Sequence, residues 1–118
     1  MSHRVVSTDA KTADVLVDTD WRGHDVAVEI LDAEHGVDLA GAVDGATALV
    51  VDAGTQVTER VLREAAPGLV VRAGIGVDNI DIAAARELEI PVANVPEYCI
   101  EEVATQSLSL LLATWRQL

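Results

Sequence analysis

Along this chain, apolar runs of strand length are followed by helices with their own start signals, and that rhythm favours parallel βαβ packing above other arrangements. Ala46 to Val51 is apolar but for Thr47 up to Asp52 and reads as a central strand, with Thr58 placed to cap a helix over Glu59 to Ala65. Pro67 and Gly68 break the chain. Leu69 to Ala73 is the next strand, Asp81 can cap a helix over Ile82 to Glu89, and Val92 to Val95 is a further strand. Upstream, Arg4 to Ser7 reads as a first strand, and the polar stretch through Asp20 shows no clear period. Ala27 to His35 predicts a helix, because Val28, Ile30 and Leu31 stand among Glu29, Asp32 and Glu34 with Gly36 placed to end it. Val37 to Leu39 then predicts a short strand.

Composition agrees with a buried sheet. Half of the 118 residues are apolar, yet there is no Phe and only Trp21, Tyr98 and Trp115 are aromatic, so the core must be built from Val, Leu, Ile and Ala. One domain of this length holds a real core, and a second does not fit. Twenty acids face seven Arg and the single Lys11, a net charge of -12 that excludes nucleic-acid or anionic-membrane binding through a basic patch. The same balance, rich in acid and poor in Lys, reads either as a solvated acidic face or as adaptation to high salt, and the second predicts stability that rises with salt. Cys99 is the only cysteine, so an internal disulfide is impossible and a reducing, cytoplasmic setting is expected. No apolar run is long enough for a signal peptide or a membrane span. His3, His24 and His35 share no metal-like spacing.

Arg72 to Asp81, RAGIGVDNID, holds the candidate chemistry. Gly74 and Gly76 follow a strand and strip side chains from the turn, so the main-chain amides can approach a ligand. Two readings compete: a plain tight turn, or an anion-binding nest. A dinucleotide fingerprint would need a third glycine at position 79, where the chain has Asn79. From about Cys99 to Gln117 the chain predicts a long helix with Ile100, Val103, Ala104, Leu108, Leu111 and Trp115 on one stripe and Leu110, Leu112 and Ala113 beyond it, a surface that needs cover on several sides. A boundary near Pro96 to Cys99 divides an α/β unit, 1–98, from this helix, 99–118.

The RAGIGVDNID block, the strand end VANVP at Val92 to Pro96 and the helix start EEVA at Glu101 to Ala104 resemble the D-isomer-specific 2-hydroxyacid dehydrogenases, most closely the branch that includes the C-terminal-binding-protein corepressors. The resemblance runs from about Ala46 to Leu118 and is only an outline before that. It implies a substrate-binding domain with a flavodoxin-like, doubly wound parallel sheet of four or five strands, followed by a hinge helix that begins the NAD-binding domain and packs in the dimer. Family members carry a longer strand and helix where this chain has AGAVDG after Leu39, so one element there is expected to be shortened or missing.

The resemblance also assigns roles. It implies that the amides of Gly74, Ile75 and Gly76 hold the substrate carboxylate, that Arg72 approaches the substrate, and that Val103 lines the nicotinamide pocket. By residue type alone, Arg72 would be a surface arginine paired with a carboxylate and Val103 a core residue. Asp52 stands at the strand end where phosphoglycerate dehydrogenases carry an arginine for phosphate, and a carboxylate there would repel that group. Glu101 and Glu102 suit the first turn of a helix electrostatically, and Cys99 is a small packed thiol. In the family, hydride transfer needs an arginine, a glutamate, a histidine and a glycine-rich cofactor turn, all beyond Leu118. The expectation is therefore the substrate domain of an NAD-dependent D-2-hydroxyacid dehydrogenase, truncated and inactive alone, with a small 2-hydroxy or 2-oxo acid as ligand and a homodimer through the terminal helix. The alternative is a non-enzymatic α/β module that dimerises or docks through that helix.

Overall fold

In the computed structural model, which describes residues 2–31 and 38–118, the elements alternate throughout. They are β1 His3–Ser7, α1 Ala10–Val17, β2 Val26–Ile30, α2 Leu39–Val43, β3 Ala48–Val51, α3 Glu59–Ala65, β4 Val70–Arg72, α4 Ile82–Glu87, β5 Val92–Ala93 and α5 Ile100–Arg116. The strands form one five-stranded sheet in the order β2-β1-β3-β4-β5, parallel at every pairing. That is the flavodoxin-like order, with its reversal between β1 and β3.

Alternation along the central strands divides the core. Val6, Leu49, Val51 and Val70 are fully buried in one cluster with Val43, Leu62, Ala65 and Ala85, contributed by α2, α3 and α4. Val5 and Val50, one residue out of phase, are buried outside that cluster. The caps read from sequence are present: Asp81 Oδ1 accepts from Ala84 N at 2.9 Å, and Thr58 Oγ1 from Val61 N at 3.4 Å. At the β3–β4 crossover a Cβ on Gly68 would stand 2.8 Å from the carbonyl oxygen of Thr47, so only glycine permits this approach of the two chains.

Several expectations need correction. Val26–Ile30 is a strand, where a helix from Ala27 was predicted; its residues pair with all of β1, from His3↔Val26 to Ser7↔Ile30. The pairing with β1 decides the state; Val26 and Val28 are half-buried while Ala27 and Glu29 face water, and β-branched residues favour a strand. The remainder of that predicted helix, with its Gly36 stop and Val37, lies outside the described residues. Leu39 opens helix α2 rather than closing a strand, and the AGAVDG stretch supplies the other four of its five residues. The unassigned stretch after Ser7 contains α1, capped by Asp9, whose carboxylate accepts from Thr12 N and Oγ1. Those two bonds hold the Asp9 carboxyl below its usual range.

The long terminal helix is there, but uncovered. None of the residues of α5 is buried, and Leu111 and Trp115 are 65% and 82% exposed. The apolar surface predicted to need cover finds none within the described residues.

Candidate functional site

Strands β3 and β4 end side by side, Val51 opposite Arg72, so the loops that follow them share the carboxyl edge of the sheet. This is where an open α/β sheet takes its ligands. The β4–α4 loop contains Gly74, Ile75 and Gly76. Gly74 N donates to Arg72 O at 2.8 Å, so that amide is engaged in the turn itself. Gly74 O accepts from Val95 N and Ile75 O from Asn94 Nδ2, each at 2.8 Å. A trans peptide holds its N–H opposite its C=O, so fastening these two carbonyls toward the segment after β5 turns the N–H groups of Ile75 and Gly76 away from it. Among the described residues neither amide has a hydrogen-bond partner.

Arg72 lies over the same turn. A Cβ on Gly74 would collide with Arg72 Nη1 and stand 3.1 Å from its Cζ, so the guanidinium occupies the space that glycine leaves. Arg72 Nε is buried with no partner, and no carboxylate of the described residues forms an ion pair with this side chain. A surface arginine paired with an acid would look different: Arg60 and Arg63, on α3, each contact two carboxylates.

Asp52 is turned to its own loop. Its Oδ1 accepts from Gly54 N at 3.2 Å, Thr55 N at 3.1 Å and the Thr55 hydroxyl at 2.9 Å. The arrangement opens the β3–α3 loop and places no cation there. Asn79 was noted in the sequence only as a missing glycine. Its side chain is buried and donates to Asp52 O and Thr55 O. With that side chain filling the turn, and Ala84 N already taken by Asp81, the loop does not fit a dinucleotide pyrophosphate. Val103 is 62% exposed on α5, and no hydrogen bond among the described residues joins that helix to the glycine loop. His3 and His24 meet edge to face at 6.2 Å, but at the opposite, amino edge of the sheet. Among the described residues no His, Cys, Asp and Glu group could hold a metal ion, and no helix is long and apolar enough to cross a membrane.

Comparisons place this arrangement in a family. A family model described as D-isomer specific 2-hydroxyacid dehydrogenase, catalytic domain, matches residues 5–106. The D-3-phosphoglycerate dehydrogenase of Mycobacterium leprae is 42% identical over 98 residues, 81% of this chain and 18% of that protein. C-terminal-binding protein 1 of Caenorhabditis elegans is 47% identical over a shorter stretch of 49 residues, 42% of this chain and 7% of that protein. Among solved structures, the NAD+-bound 3-phosphoglycerate dehydrogenase of Entamoeba histolytica superposes with a TM-score of 0.72 at 24% identity, over 96% of this chain and 39% of that one, a likeness of fold. The chain thus spans less than a fifth of the curated relative it matches over 98 residues. With the family model covering most of its length and the sheet order agreeing, this chain belongs to the D-isomer specific 2-hydroxyacid dehydrogenases and carries substrate-binding domain sequence of that family.

Proposed function

We propose that the glycine loop and Arg72 bind the carboxylate of a small 2-hydroxy or 2-oxo acid, as the substrate half of an NAD-dependent dehydrogenase. The observation that carries this is the pair of unengaged amides at Ile75 and Gly76 beside an arginine whose buried Nε has no partner. Backbone amides and a guanidinium are complementary to a carboxylate, and charge-assisted bonds of this kind are the strong ones. Gly74 contributes the space for the arginine, its own N–H being occupied. Asp52, bound up in its loop, supports an acid without a phosphate. Residues 1–98 form the acid-binding unit, and 99–118 the helix that leads to a nucleotide-binding domain, on which Val103 would face the nicotinamide. NAD is the hydride carrier of this reading, and within this chain Val103 is the one residue assigned to it. In this reading the histidine that moves the proton accompanying hydride belongs with the nucleotide-binding half, so the chain alone should bind and not turn over.

Titration with glyoxylate followed by amide NMR tests the reading. Ile75 and Gly76 should shift most, and Arg72→Ala should weaken binding about tenfold or more while the remaining spectrum stays that of the folded domain. Gly74→Ala should act in the same direction by pushing the guanidinium aside. 3-Phosphoglycerate should bind no better than glyoxylate. Equal affinity in wild type and Arg72→Ala would remove the arginine from the site.

The exposed apolar face of α5 supports a second reading, a homodimer or docking module built on that helix. The acid-rich surface supports a cytoplasm of high ionic strength. Its unfolding midpoint should rise from dilute buffer to molar KCl as repulsion among charges is screened, and a midpoint insensitive to salt would reject that adaptation.

A further inference from the structure

We infer that Asn79 is the positioning residue of the glycine loop, holding Ile75 and Gly76 in register with the carboxyl edge of the sheet; the inference rests on the acid-binding reading only for what the loop then binds. Asn79 is 8% exposed, and its Nδ2 donates to Asp52 O at 2.9 Å and Thr55 O at 2.6 Å. Both partners are carbonyl oxygens. The site therefore demands two protons on one short side chain, which an amide supplies and a carboxylate or hydroxyl does not.

The main chain of Asn79 reinforces its side chain. Asn79 O accepts from Val57 N at 2.8 Å, and Val57 O accepts from Asp81 N at 2.9 Å, a parallel bridge centred on Val57 and Ile80. One residue thus ties the β4–α4 loop to the β3–α3 loop by three hydrogen bonds. The second loop is itself anchored. The Thr55 hydroxyl donates to Asp52 Oδ1 and lies 2.9 Å from Thr8 Oγ1, which reaches the loop after β1, while Thr8 N donates to Val50 O. The three central strands β1, β3 and β4 consequently lead into one polar knot, buried at Thr55 and Asn79 and half-buried at Thr8 and Asp52, and the glycine loop hangs between it and the bonds from Asn94 and Val95 on the other side. A loop fixed at both ends presents its two amides in one geometry, which is the preorganisation an anion site needs. Satisfied buried networks of this kind rigidify the segment they join.

Amide hydrogen exchange on Asn79→Ala and Asn79→Asp tests the assignment. Either variant should raise exchange about tenfold or more at Val57 and Asp81, whose amides are bonded between the two loops, at Ile80, whose amide is bonded to Val77 O, and at Val95, whose amide is bonded to Gly74 O, while β1 and α1 exchange as in wild type. Asn79→Asp should match or exceed Asn79→Ala, because a carboxylate of the same shape faces the two carbonyls without donors. If neither variant folds, Thr55→Val removes the hydroxyl link and should give a smaller change confined to the same loops. Unchanged exchange at Val57, Ile80, Asp81 and Val95, or a uniform rise across the whole domain, would overturn the positioning role. Loss of glyoxylate binding in step with raised loop exchange agrees with both readings; raised loop exchange in the variants, when the wild type itself binds no glyoxylate, sinks the acid site and leaves Asn79 as the brace.

Discussion

Leu62→Ala is expected to remove about 2–5 kcal/mol of folding stability, the range for emptying a buried leucine site that cannot collapse. Leu62 is 0% exposed near the middle of α3, which packs against α2 on one side and α4 on the other, over Leu49 and Val51 of β3. The core contains no Phe, its residues are mostly Val and Ala, and Leu49 is itself fully buried, so little side chain is free to fill the gap. Total stabilities of about 5–15 kcal/mol mean that this single change consumes a large share of the whole. By contrast, the ion pairs on the outer face of the same helix, Arg60 with Glu64 and Arg63 with Glu59, have side chains roughly half exposed or more, and removing either should cost well under about 1 kcal/mol. Urea unfolding reads both: a midpoint that drops sharply for Leu62→Ala at constant slope, and hardly moves for Arg60→Ala. A drop of less than about 1 kcal/mol for Leu62→Ala would mean that α3 is not seated on this core.

Where the sequence was read correctly, the information was local. Glu59 to Ala65 has its cap in Thr58, its stop in Pro67 and Gly68, and apolar residues spaced for one face, so helix α3 matches its predicted bounds. Within the predicted run Ala46 to Val51, the strand occupies Ala48–Val51. Val26 to Ile30 was misread because five residues hold too few periods to separate 2.0 from 3.6, and the partner that makes them a strand, β1, is more than twenty residues away in sequence. The helix α1 was missed since its main signal is the Asp9 side chain reaching Thr12, within a stretch that looks merely polar.

The site divides in the same way. Glycines spaced for a bare turn are visible in a string of letters; the engagement of Gly74 N and the carbonyl anchors from Asn94 and Val95 are not. Asn79 shows the limit best. Its position five residues after Gly74 was informative only as an absent glycine, whereas its work depends on two backbone oxygens more than twenty residues upstream. A buried amide in a loop carries no period, and only its acceptors disclose what it does.

The 118-residue chain is expected to self-associate through α5, with a mass by light scattering that rises with concentration toward that of a dimer. Ile100, Val103, Leu108, Leu111 and Trp115 lie along one stripe of a 17-residue helix and are each more than half exposed. Taking one such side chain from full exposure to burial is worth about 1.5–3 kcal/mol; these are already partly covered, so ten of them across a symmetric pair supply well over half of about 15–30 kcal/mol, to set against an association cost of about 4–15 kcal/mol. Charge opposes this. Two chains each carrying -12 repel in dilute buffer, so the dimer should strengthen as salt screens that repulsion, opposite to an interface held by ion pairs. Leu111→Glu should weaken association about 100-fold or more, because a symmetric interface would enclose two unpaired carboxylates. Glutamate is as good a helix former as leucine, so α5 itself should persist and far-UV circular dichroism should not change. A wild type that stays monomeric from low to molar salt would mean that the stripe is not a self-complementary face, and polydisperse aggregate insensitive to Leu111→Glu would mean that other apolar surface drives the contact.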